Sequence, residues 1–117
     1  MNISKDLVAA SAAPLVLAIL SEKESYGYAI RKRVGELSGG ELSWTDGMLY
    51  PVLHRIERKG YVEARWGTSE AGRRRKYYRL TKRGADELER QQRQWRLVDS
   101  TLRGVWRTRI EPELKGV

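Results

Sequence analysis

The stretch from Thr45 to Thr81 constrains this chain more than any other part of it. It begins Thr45-Asp-Gly-Met-Leu-Tyr-Pro-Val-Leu-His-Arg-Ile-Glu-Arg-Lys-Gly60. Leu49, Leu53 and Ile56 recur at i, i+4 and i+7, which makes one apolar stripe on a short helix. Thr45 suits the N-cap, Asp46 the positive end of the helix dipole, and Gly60 the stop. Pro51 removes one amide donor near the first turn. The pattern then changes to alternation. Val62, Ala64 and Trp66 face one way, and Tyr61, Glu63 and Arg65 the other. Gly67-Thr-Ser-Glu-Ala-Gly72 is a turn with glycine at both ends. From Arg73 to Leu80 alternation resumes, with Lys76, Tyr78 and Leu80 opposite Arg75, Tyr77 and Arg79.

Helix, strand, basic turn and strand is the order of a winged helix-turn-helix. The flanking segments fit that frame. Residues 5–20 read as a first helix, with Val16, Leu17 and Leu20 on one face, Leu7, Ala10 and Ala13 leading in, and Pro14 inside the pattern. Ser21-Glu-Lys-Glu24 is a polar break, and Ser25 can cap a second helix from Tyr26. Ile30, Val34 and Leu37 give that helix its buried stripe, and Ser38-Gly-Gly40 ends it. Thr81 caps a last helix in which Leu88, Trp95 and Leu102 lie seven apart, with Val98 and Val105 as a second row and Trp106 extending the seam. A seven-residue repeat describes a helix packing lengthwise on another helix. The expected fold is mainly α with a small β-hairpin: a winged helix-turn-helix over residues 1–80 and a long C-terminal dimerisation helix over 81–111. Pro112 ends regular structure, leaving 112–117 as a frayed tail.

Charge narrows the partners. The 117 residues carry 23 Lys and Arg against 15 Asp and Glu, a net +8, which favours a polyanion. The alternative is a basic protein with no such partner. The chain has no cysteine, so disulfides and thiol-ligated metals are excluded. Its one histidine, His54, lies on the helix expected to face DNA, so no Ser/His/Asp site can be assembled around it. No phosphate loop ends in Gly-Lys-Ser/Thr, and no metal cluster is visible. The expectation is a non-enzyme without cofactors. No apolar run approaches a membrane span, and no small-residue cleavage pattern follows the apolar stretch Leu7–Leu20. A cytoplasmic location is expected.

The core stripe of the third helix leaves Gly47, Tyr50, Pro51, His54, Arg55 and Arg58 outside. Gly47 allows close backbone approach, Tyr50 and His54 can stack on sugars or donate hydrogen bonds, and Arg55 can fork onto guanine or phosphate. Arg73, Arg74, Arg75 and Lys76 are the candidate phosphate contacts, divided by alternation between two faces. A solvated helix face and a charged hairpin guarding an edge strand are the competing readings. Tyr26 and Tyr28 open the second helix, where an amide and a phenol can hold phosphate; Tyr28 can equally be core.

Tyr26-Gly-Tyr-Ala-Ile30, Gly47-Met-Leu-Tyr-Pro51, Leu53 to Glu57, Gly60, and Gly72-Arg-Arg-Arg-Lys-Tyr-Tyr-Arg-Leu-Thr81 with Gly84 resemble the PadR family of bacterial transcriptional regulators. The match covers roughly residues 5–106. The resemblance implies a homodimeric winged-helix repressor, of the compact branch with one helix after the wing, whose C-terminal helix crosses the partner's first helix. Met48 stands where the family more usually has Thr, which alters the outer face of the recognition helix. Pro14 falls in a helix that lacks proline in many relatives. In the multidrug-binding branch a tryptophan at the place of Trp95 lines a pocket at the dimer centre. The local Gln94-Trp-Arg-Leu-Val-Asp99 is similar, and Asp99 could pair with a cationic ligand. Trp95 either stacks on a flat aromatic effector or packs the dimer seam.

These features together lead to a sequence-specific regulator binding double-stranded DNA at a pseudo-palindromic operator through Tyr26, Thr45, Gly47, Met48, Tyr50, His54, Arg55 and Arg73 to Lys76. A small aromatic effector at Trp95 and Asp99 would release it. The alternatives are a constitutive DNA-binding regulator without ligand, and a winged-helix RNA or protein adaptor.

Overall fold

The Leu7 N–H donates to Ser4 Oγ at 3.2 Å, and this cap starts α1 (Lys5–Glu22). The computed structural model describes the backbone of residues 2–115 and the side chains of residues 2–107. Pro14 lies inside α1 without ending it. The carbonyl it leaves without a helical donor belongs to Ala10, an exposed residue that water can reach. The buried residues are Ala12, Val16, Leu17, Ile19 and Leu20, so the second half of α1 is enclosed. Leu7 and Ala10 face outward instead of leading into that face. The helix also runs two residues into the expected polar break.

Ser25 is not a helix cap. Ser25–Tyr26 forms a short strand, β1, antiparallel to the later strand β3 (Arg74–Leu80), with Ser25 opposite Tyr78 and Tyr26 opposite Tyr77. Tyr26 then becomes the N-cap of α2 (Gly27–Leu37), with no side-chain bond. Ile30 and Val34 are buried as the spacing requires, whereas Leu37 is exposed because α2 reaches its end there. Gly39 and Gly40 take positive φ and close the turn.

Thr45 caps α3 (Asp46–Arg58), its Oγ1 accepting from the Met48 N–H at 3.3 Å. Leu49, Val52, Leu53 and Ile56 are buried. Gly60 ends the turn after α3 with φ of 79°, a conformation costly for any residue with a Cβ. β2 (Val62–Thr68) pairs antiparallel with β3 from Val62↔Leu80 to Thr68↔Arg74. The strand thus continues two residues past Trp66, and Gly67, expected in the turn, lies in the ladder. The sheet order is β1-β3-β2, three strands where the sequence suggests two.

The last helix, α4 (Lys82–Lys115), is capped by Thr81, whose Oγ1 accepts from the Gly84 N–H at 3.0 Å and donates to the Gly60 carbonyl at 2.7 Å. At 1.5 Å per residue its 34 residues span about 50 Å. It passes Pro112 and reaches Lys115, so regular structure does not stop at 111. A proline keeps helical φ and removes one amide hydrogen bond, a loss a helix can absorb with a local kink. The fraying expected of Gly116 and Val117 lies outside the described residues.

The core is one cluster. Val16 and Leu17 of α1, Ile30 and Val34 of α2, Leu49, Leu53 and Ile56 of α3, Val62 and Tyr78 of the sheet, and Leu88 of α4 meet in it. Trp44, in the loop before α3, is buried there too. Full burial of a side chain such as Leu17 or Leu53 contributes about 1.5–3 kcal/mol.

Candidate nucleic-acid interface

Burial of Leu49, Val52, Leu53 and Ile56 fixes which side of α3 faces out. Thr45, Gly47, Met48, Tyr50, His54 and Arg55 are all exposed, as are Pro51 and Arg58. They fall into two groups. Met48 and Arg55 flank Val52 and border an apolar groove of about 510 Å³, shared with Ile3, Val8, Ala9 and Ala12 of the N-terminal segment and with Trp44. Tyr50 lies on the wing side, and its ring centroid is 6.4 Å from that of His54. The Tyr50 hydroxyl rests on the backbone of Gly27, where a Cβ would lie 2.5 Å from it. Glycine at position 27 thereby lets the Tyr50 phenol touch the start of α2.

The wing is stiffened at its tip. The Ser69 N–H donates to the Arg73 carbonyl at 2.8 Å, and the Arg73 N–H donates back to Ser69 Oγ at 3.0 Å. Gly72, with φ of 80°, makes the corner.

Behind that tip the cations are sorted. The Arg75 guanidinium stacks 4.2 Å from the Tyr26 ring, and Arg74 lies 4.7 Å from the Trp66 ring. The Lys76 ammonium sits 5.4 Å from the Tyr78 ring and 3.7 Å from Glu57 of α3. Arg73 has no ion-pair partner among the described residues. On the face of the sheet that Arg75 shares, opposite to that of Arg74 and Lys76, Arg65 lies 4.8 Å from the Tyr77 ring. Arg65 Nε donates to Glu24 Oε2 at 3.1 Å and its Nη2 to Oε1. The Arg65 hydrogen bonds hold the Glu24 carboxyl below its ordinary range and raise the guanidinium in turn.

The short β1 leaves the edge of β3 uncovered from Arg74 to Lys76. A cleft of about 630 Å³ opens there, bounded by Tyr26, Gly27 and Tyr28 of α2's start, Asp46 and Tyr50 of α3, and Trp66 and residues 73–76 of the wing. Arg31 also reaches it, with Nε 2.9 Å from Asp46 Oδ1, so the acid on this rim is already paired. Tyr28 is 60% exposed and lines the cleft, so it is not core. The site therefore gathers Tyr26, Tyr50 and the four wing cations around one concave surface of positive charge. Thr45, Gly47 and His54 lie along the adjoining exposed face. Arg31, Asp46 and Trp66 belong to the cleft as well and carry no signal in the sequence beyond ordinary helix and strand positions.

Trp95 and Asp99 lie elsewhere, on α4. Trp95 is half-buried and lines a small apolar cavity of about 260 Å³ with Ser11, Pro14, Leu15 and Ala18 of α1 and Leu88 of α4. Asp99 is tied to Arg103 one turn on, Oδ2 2.9 Å from Nε. No group of acids and histidine fit for a metal ion occurs among the described residues, and no helix of theirs is long and apolar enough to cross a membrane.

Comparison with known proteins agrees with this geometry. Residues 16–90 match the family model described as the transcriptional regulator PadR-like family. A transcriptional regulator from Clostridium thermocellum superposes with a TM-score of 0.79 at 28% identity, covering 88% of this chain and 97% of that one. A PadR family transcription regulator from Clostridium difficile superposes with a TM-score of 0.73 at 34% identity, covering 82% of this chain and 98% of that one. An uncharacterised protein of Lysinibacillus sphaericus is 27% identical over 107 residues, which is 88% of this chain and 98% of its own length.

Proposed function

Since this chain belongs to the PadR-like family of transcriptional regulators, we propose that it acts as a homodimeric repressor of a pseudo-palindromic operator, released by a small aromatic effector. The observation that carries the DNA contact is the juxtaposition of the exposed α3 face with a cleft rimmed by Arg73, Arg74, Arg75 and Lys76. A helix entering the major groove would bring that cleft against the flanking phosphates. Tyr26, Thr45, Gly47, Tyr50 and His54 would make the remaining contacts, with Met48 and Arg55, which rim the groove along α1, reaching DNA from its outer edge.

Pairing of two chains is supported by α4. Its apolar repeat outlasts its own core: Leu88 is buried, but Val98, Leu102, Val105 and Trp106 stand in solvent. The groove along α1 lined by Val8, Ala12, Trp44 and Val52 offers a matching apolar seat to a second copy's helix. Repression by such a dimer would operate in the cytoplasm, where the chromosome is.

The effector would lie where the two copies bring Trp95 together. Offset stacking between an indole and a flat ring adds about 0.5–1.5 kcal/mol beyond burial. A regulator without ligand is the second reading, and a specific observation favours it: Asp99 already has Arg103 as its counter-ion, and Trp95 already packs on α1.

Footprinting on the DNA upstream of the protein's own gene tests the main reading. Two protected patches with centres about one or two helical turns apart are expected. Equal or tighter binding to structured RNA, or no preference among duplexes at low salt, would refute it. Trp fluorescence titrated with a panel of flat aromatic compounds separates the two readings of the effector, since no quenching by any compound supports the unliganded regulator.

A further inference from the structure

Trp66 is a large apolar side chain placed where no core can use it. On its face of β2, Val62 is buried and Ala64 half-buried, but the sheet outruns the core at Trp66, which is 58% exposed. The Arg74 guanidinium lies over its ring at 4.7 Å. The register explains the pairing. Trp66 stands opposite Lys76, and Arg74 stands opposite Thr68, so Arg74 is the diagonal neighbour on the same side of the ladder. Both residues line the cleft with Tyr26, Gly27, Tyr28 and Tyr50.

We propose that Trp66 is a positioning residue: a flat shelf that holds the Arg74 guanidinium edge-out into the cleft, where it takes a backbone phosphate of duplex DNA in a two-pronged contact. The inference rests on the DNA-binding reading above and assigns a part to a residue outside the contact set.

Stacking uses the face of the guanidinium and leaves its N–H groups, all in the plane, free to fork onto an oxyanion. Arginine loses much rotamer freedom when it is fixed, and the indole fixes it before DNA arrives. The cleft suits an anion, because the carboxylate on its rim, Asp46, is already engaged by Arg31 while Arg73, Arg74 and Arg75 face no acid there. Lys76 differs, because Glu57 holds it. Arg74 is thus a rim cation that combines freedom from an acid with a rigid support drawn from its own hairpin.

A double-mutant cycle tests this, with affinity for a fixed duplex measured by fluorescence anisotropy. Trp66→Leu should weaken binding by about 2- to 5-fold, the range an exposed cation–π contact supports. Trp66→Phe, which keeps an aromatic face, should restore most of the loss. In an Arg74→Ala background Trp66→Leu should add nothing. Arg74→Lys keeps the charge and loses the fork, so it should weaken binding with the salt slope retained, and this arm needs no change at Trp66. Additive losses, no rescue by Phe, or full affinity in Trp66→Leu or Arg74→Lys would overturn the inference. If the unaltered protein binds no duplex, the DNA-binding reading falls and takes this inference with it; if it binds and the cycle is additive, only the inference falls.

Discussion

The Lys76 ammonium lies 3.7 Å from the Glu57 carboxylate, so the last cation of the wing is held by the C-terminal half of α3. Both side chains are about one-third exposed, a setting in which such a pair contributes on the order of 0.5 kcal/mol and is weakened by salt. Its larger consequence is for counting charges. A cation that releases a counter-ion on meeting phosphate must first be available.

Arg73→Ala and Arg74→Ala should each flatten the plot of log affinity against log salt concentration by about 0.9, the value for one phosphate on duplex DNA. Lys76→Ala should flatten it by clearly less, because Glu57 already balances that charge. Anisotropy titrations at several salt concentrations give the slopes. An equal loss for Lys76→Ala would mean that DNA draws this lysine away from α3.

Gly84 meets the chain at the other end of the sheet. A Cβ built there would lie 1.9 Å from the Tyr61 carbonyl oxygen, which is backbone and cannot swing aside. That carbonyl also accepts from the Thr81 N–H at 3.0 Å, so it is anchored. Gly84→Ala should therefore force the first turn of α4 off the sheet and cost about 3 kcal/mol, the upper end for overpacked sites. Thermal unfolding followed by circular dichroism reads this as a drop in Tm of several degrees. An unchanged Tm would show that α4 can re-seat without loss.

Much of this was legible in the chain, and the failures share a cause. The stripe Leu49, Leu53, Ile56, the Thr45 and Thr81 caps and the Gly60 stop are local patterns, and the structure keeps each of them. β1 is two residues long, too short for any period, and its partners Tyr77 and Tyr78 lie about fifty positions away. A strand of that kind exists only through its pairing. The same holds for the cleft: Trp66, Arg31 and Asp46 become neighbours through register and helix packing, which no spacing rule contains. Pro112 errs in the opposite direction, since a local rule was applied where the helix absorbs one missing hydrogen bond and continues to Lys115.

Tyr78 gives a pH prediction. It is 1% exposed, and its hydroxyl has no hydrogen-bond partner among the described residues. Burial raises its pKa above the ordinary value of 10.0, with the Lys76 charge opposing that rise. A folded value above the unfolded one means the folded state keeps its proton longer. The stability this represents is whole below pH 10 and is lost as pH rises from there toward the folded value. Urea unfolding across the alkaline range should show that fall, and Tyr78→Phe should lessen it. Near neutral pH the same change should be close to neutral, because it removes a buried hydroxyl whose contact with Lys76 falls short of a well-formed hydrogen bond. A Phe variant with the same alkaline slope would place the responsible group elsewhere.

The last expectation concerns α4. Leu88 is 7% exposed and Leu102, two heptads on, is 43% exposed, although both occupy the same stripe. Leu88 belongs to the core cluster and lines a cavity with α1, and Leu102 belongs to neither. Leaving Val98, Leu102, Val105 and Trp106 in water forfeits burial worth about 25 cal/mol per Å² of apolar surface, which a second copy could recover. Leu102→Asp or Val105→Asp should therefore leave the fold of one chain intact while breaking the pair. Light scattering should then give the mass of a single chain where the unaltered protein gives twice that. Operator affinity should fall at least tenfold, because two half-sites are no longer bound as one unit. Retention of the doubled mass in both variants would show that the copies meet through some other surface, and the apolar row on α4 would need a different explanation.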